Sequence, residues 1–159
     1  MVLCAISSPS SVPAQSASQP NERVAALIHA ALKGEKIRQH NFEADVEHLA
    51  AEASRLKDGD LRWVISEGVI GRNWMPNDRI IQMSKDVRRP AECFLAPIEG
   101  PLNELMEKSR EDPESVAPAR GFVDYAHEIL WPAISDLRRR IEEVEYKLDD
   151  VIGRRRSAR

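Results

Sequence analysis

The spacing of aliphatic residues toward the C-terminus constrains this chain more than any other feature. From Leu130 they recur at Ile134, Leu137, Ile141, Val144, Leu148 and Val151, in steps of four, three, four, three, four and three. Steps averaging 3.5 keep all these side chains on one face of a helix, whereas a strand would scatter them over both of its faces. With Ile134 at position a, the a set is Ile134, Ile141 and Leu148, and the d set is Leu130, Leu137, Val144 and Val151. Val123 extends the frame upstream, with His127 at the seam position between.

In this frame Arg140 is a g residue and Glu145 the following e residue. Two parallel copies in register bring those opposite charges together, while antiparallel pairing brings Arg140 toward Lys147 or a second arginine. The charges therefore lean toward parallel self-pairing. An apolar strip of this length does not stay in water. A second copy, another helical protein or the chain's own stripe Phe42, Val46, Leu49, Ala53 and Leu56 covers it, and the seam leaves the choice between chains or within one chain open. Pro132 removes one backbone bond and crowds the carbonyl of residue 128, at about 3 kcal/mol if uncompensated. Because the seam continues across it, a bent helix is expected. Trp131 takes an e position beside the seam and, with Arg140 and Glu145, flanks the expected interface.

The other segments divide around this helix. Residues 1–20 hold no charged side chain, six serines and three prolines, so ordering them costs entropy with little burial in return, and a disordered tail is expected. Residues 21–89 read as a helical region. One helix starts at the capping residue Asn21, carries Val24, Leu27, Ile28, Ala31 and Leu32 on one face and ends near Gly34; a second runs from Asn41 to Lys57. Within 61–98 two readings compete: a helix presenting Leu61, Val64, Ile65 and Val69, or a small hairpin pairing Trp63–Ile65 with Val69–Ile70. The poor alternation of faces favours the helix. Asn77 and Asp78 open a further short helix that Pro90 ends. Residues 90–121 form a Pro-rich connector with one short helix from Pro101 to about Arg110; 122–153 are the coiled-coil-like helix, and 154–159 a basic tail. The sequence has no threonine and 5% aromatics, which removes much of the strand-favouring material. The expected fold is mainly α, with α+β as the alternative if the hairpin forms.

Catalytic signatures are missing: there is no G-x-S-x-G, no Walker-type glycine loop, no H-E-x-x-H and no dinucleotide fingerprint, so neither a catalytic residue nor a cofactor is expected. Asp-x-x-His occurs twice, at Asp45/His48 and Asp124/His127, with Glu52 one turn beyond His48, and such pairs build metal centres in helical bundles. His48 lies off its helix's apolar stripe while His127 lies on its own, so the pairs do not share a core and no metal site is expected. Two cysteines, Cys4 and Cys93, make neither a C-x-x-C site nor a disulfide framework, which points to a reducing compartment. No apolar run approaches the ~18 residues of a membrane span. The expected location is cytoplasmic, with no membrane partner.

Charge adds one alternative. The net charge is -3, yet Arg154, Arg155, Arg156 and Arg159 cluster at one end, where they suit phosphates or an acidic protein patch, or simply complement a helix dipole. A nucleic-acid-associated accessory protein is the second reading. The third comes from the N-terminus. With Leu3, its serines and no acidic residue before Glu22, the segment resembles the uncleaved export signals of bacterial type III secretion substrates. The resemblance covers residues 1–20 and implies an effector exported without signal cleavage. The leading expectation is a non-enzymatic helical protein-protein interaction or assembly protein, associating with itself or another helical protein through its C-terminal heptad helix.

Overall fold

The computed structural model describes residues 19–38, 42–59, 61 and 76–157, and every regular element among them is helical. In chain order they are α1 (Pro20–Leu32), α2 (Phe42–Asp58), α3 (Asn77–Leu95), α4 (Glu99–Glu111), a 3₁₀ segment (Pro113–Ala119), α5 (Arg120–Tyr125), a π-helical turn (Ala126–Leu130) and α6 (Trp131–Ser157). The fold is mainly α, with no strand among the described residues. The hairpin alternative of Trp63–Ile65 and Val69–Ile70, and the competing helix beyond Leu61, fall within 62–75, outside them, as do residues 1–18.

Local chemistry sets the ends of the first helices. Proline at the first helical position starts α1 one residue before the expected cap, and Asn21 Oδ1 accepts from the neighbouring Glu22 N–H, at 2.9 Å. Gly34 ends α1 in the left-handed region, at φ 75°, which lets the Glu35 N–H reach back to the Ala30 carbonyl and the Gly34 N–H to that of Ala31. Lys108 adds its ammonium to the same helix end, 2.6 Å from the Leu32 carbonyl, where a cation suits the dipole.

Pro90 does not end α3. The helix runs through it to Leu95, because Ile80, Ser84, Ala91 and Leu95 form one buried stripe and the burial of Ala91 and Leu95 offsets the lost backbone bond. Nor is the segment beyond it a connector. Leu95, Ile98, Leu102, Leu105, Val116 and Ala119 are all buried, so residues 91–119 supply part of the core.

At the centre lies α6. It packs on α2 and α3, while α1 packs on α2 and α4. Phe42 opens α2 edge-on to Phe122, with ring centroids 5.5 Å apart, and closes the end of the core where α5 begins. Pro132 sits in the first turn of α6, and the bend expected there takes the form of the π turn just before it. The Trp131 N–H bonds the Ala126 carbonyl five residues back, so the turn widens ahead of the proline. That extra residue rotates the seam. Ala126 is buried where His127 was expected, and His127 is exposed. At the far end Ile152 replaces Val151 in the core, as follows for a straight helix of 3.6 residues per turn that drifts away from a 3.5-residue repeat.

Candidate functional site

The structure places the expected interaction seam inside the molecule. Leu130, Ile134, Leu137, Ile141, Val144 and Leu148 are buried within a single chain, and Val151 is half-buried. Each full burial is worth ~1.5–3 kcal/mol. The strip is therefore spent on α2 and α3, the cover within the chain, and is not open to a second copy. The flanking charges follow it. Glu145 binds Arg88 of α3 at 2.9 Å, and Arg140 lies 3.5 Å from Glu143 on its own helix. Neither is set up as the g-to-e partner of a neighbouring chain.

The arginine cluster is not a tail in its described part, because α6 continues through Gly153 to Ser157. Arg154 pairs with Asp150 at 3.0 Å, Arg155 donates to Asn77 Oδ1 at 2.9 Å, and Arg156 is exposed; Arg159 lies outside the described residues. Their common position in the last turn suits the helix dipole.

Neither Asp-x-x-His pair assembles with further ligands. Asp45 is taken up by a two-pronged pair with Arg23, at 2.8 Å for both contacts, and those hydrogen bonds hold its carboxyl below the usual range. His48 is exposed, and no group of three or more potential metal ligands occurs among the described residues.

What the geometry does bring together is Trp131, His127 and one face of α4. His127 and Trp131 sit one turn apart and stack nearly parallel, 9° between planes and 5.7 Å between centroids. The indole N–H donates to Asn103 Oδ1 at 3.1 Å, which fixes the ring, yet 37% of Trp131 stays exposed. Arg138 of α6 clasps Glu99 in the first turn of α4 at 2.7 Å through two contacts. As α4 advances from Glu99 to Asn103, its partners step back from Arg138 to Trp131, so the two helices run antiparallel.

Beyond the Asn103–Trp131 bond α4 faces α5 and the π turn across a cleft of about 560 Å³. One wall is Asn103, Met106, Glu107 and Arg110, the i, i+3, i+4, i+7 stripe of α4; the other is Asp124, His127 and Trp131. Ser109 also lines the cleft, but no hydrogen bond joins Ser109, His127 and Asp124 among the described residues, so nothing orients the imidazole as a base. An aromatic wall with an apolar patch at Met106 and charges of both signs at the rim can hold a side chain or a short peptide. Beside it, the Tyr125 hydroxyl donates to Glu47 of α2, which pushes its pKa up to about 12 and ties the wide turn to the bundle.

From the sequence, Trp131 stood out as an interface flank and His127 as a seam residue. On α4 only Met106 could be read, as an inner-face residue of the short helix; Asn103 and Glu107 carried no signal, since the contact spans 28 residues and depends on the π turn. The fold and the cleft define a small helical bundle with an aromatic-walled groove. No protein-family model, curated protein or solved structure matches the chain.

Proposed function

We propose that this chain is a non-enzymatic helical binding protein whose partner docks in the groove between α4 and the start of α6, with Trp131 as the anchor. The exposed Trp131–His127 stack carries this reading. A tryptophan whose N–H is satisfied and whose ring is held rigid loses little entropy on binding, and tryptophan is among the residues that dominate interface energetics. The groove's volume suits a few inserted side chains. Association runs through the C-terminal helix, at its first turn and not along its seam.

The test is affinity capture from the native organism with wild type and Trp131→Ala, after circular dichroism has shown that both fold. At least one protein bound by wild type is lost from the variant. A capture profile unchanged by Trp131→Ala, and equally unchanged by Met106→Glu, contradicts the reading.

A further inference from the structure

We propose that the groove selects an arginine side chain of its partner, seated between the Trp131–His127 stack and the Glu107 carboxylate. This rests on the binding reading above and adds the partner's chemistry.

The indole N–H is already committed to Asn103, so Trp131 has no donor left for an acceptor on the guest. It offers π surface instead, with a ring quadrupole that attracts cations. On α4, Glu107 lies one turn beyond Asn103, and the antiparallel course puts it level with the aromatic wall. Among the described residues Glu107 has no ion-pair partner. Asp124, on the opposite wall, is level with Arg110 and lies 3.9 Å from the exposed Arg120, so it belongs to the far end of the groove. The groove's own cation, Arg110, sits a further turn away and is drawn toward Glu111, at 3.7 Å. The end nearest the stack thus combines π surface with the Glu107 carboxylate.

A flat guanidinium satisfies both features at once. It stacks on the indole plane and offers a fork of N–H donors to a carboxylate, which a compact ammonium cannot do as well. From Asn103 to Arg110 the groove spans ~10 Å, at ~1.5 Å rise per residue. About three residues of extended peptide fill that length, at ~3.3 Å each. The occupant is therefore an exposed peptide segment of a partner protein with arginine at its centre.

The probes are acetyl-Gly-Arg-Gly-amide and its Met and Glu counterparts, added to the full chain while the Trp131 indole N–H resonance is followed by NMR, assigned with Trp131→Phe. The arginine peptide shifts that resonance saturably, and the methionine and glutamate peptides bind at least several-fold more weakly. Glu107→Gln, an exposed substitution that leaves the fold intact, weakens the arginine peptide about three- to tenfold and leaves the others unchanged. If the methionine peptide binds as well as the arginine peptide, or Glu107→Gln has no effect, the arginine preference is overturned while the groove remains a binding surface. If no peptide moves the resonance, the proposed seat is also wrong. Failure of the Trp131→Ala capture test instead removes the binding reading itself.

Discussion

The guanidinium of Arg88, on α3, lies 2.9 Å from the carboxylate of Glu145, on α6, with 11% of the arginine side chain exposed. Arg88 also reaches Ser84 Oγ at 3.2 Å and Glu92 at 3.5 Å, both on its own helix, so its guanidinium is held on α3 while Glu145 ties it to α6. The arginine end is sheltered while 43% of the Glu145 side chain is exposed, so water and salt screen the pair in part and its worth stays near the upper end of the surface range. A double-mutant cycle with Arg88→Met and Glu145→Ala is expected to give a coupling of about 1 kcal/mol in urea unfolding. Zero coupling would mean that the two helices do not meet at this pair.

The same residues show what was legible in the sequence. The seam of α6 was readable because Leu130 through Leu148 keep a helical spacing that no strand shares. Its cover was not, since an apolar strip attracts α2 and α3 of its own chain by the same physics as a second copy. Glu145 looked like an interchain e residue because Arg88 is 57 positions away, a distance over which local pattern says nothing. Prolines misled in the other direction. Pro90, Pro97 and Pro101 suggested a connector, yet the apolar stripe through Ala91, Leu95, Ile98 and Leu102 buries enough to keep the segment in the core. The exchange of His127 for Ala126 had no sequence signal beyond Pro132, because one widened turn rotates every residue ahead of it. The groove inherits that difficulty, having been built from Trp131, which was noticed, and Glu107, which was not.

Pro90 makes a prediction in the stabilising direction. It lies exposed inside α3 and leaves the turn before it one hydrogen bond short. Pro90→Ala restores that donor and relieves the clash, against a smaller loss from the freer unfolded chain. A net gain of about 1–2 kcal/mol raises the melting temperature by ~2–8 °C for a chain of this size. A lower melting temperature would mean that the proline sets a bend on which the packing depends.

Gly34 makes the opposite one. Its φ of 75° is open to glycine and strained for alanine, and an added Cβ would come within 3.2 Å of the Ser115 carbonyl oxygen. Gly34→Ala is expected to cost about 1–2 kcal/mol in chemical denaturation. A neutral result would show that α1 does not end in this turn.

Two ionisable groups give the stability a dependence on pH at opposite ends of the scale. The hydrogen bonds from Arg23 depress the Asp45 carboxyl in the folded chain, so its contribution is fully present above the unfolded value of ~3.9 and is lost as pH falls through the lower folded value. Asp45→Asn removes that part of the acid slope. Tyr125 behaves in reverse. Its bond to Glu47 raises the phenol to about 12, so the stability it adds is complete below ~10 and is lost as pH rises through the folded value. The ultraviolet difference titration between wild type and Tyr125→Phe should therefore have its midpoint near 12. A midpoint near 10 would mean that the Tyr125–Glu47 bond is not made.

The central claim is that the C-terminal seam is covered within one chain. A seam shared between chains couples folding to association, so its melting temperature rises with protein concentration. Thermal unfolding followed by circular dichroism over a hundredfold range of concentration separates the two cases. The account predicts one melting temperature throughout, and loss of helical signal in Leu137→Glu at every concentration. A melting temperature that climbs with concentration, together with a Leu137→Glu variant that stays folded as a monomer, would contradict it.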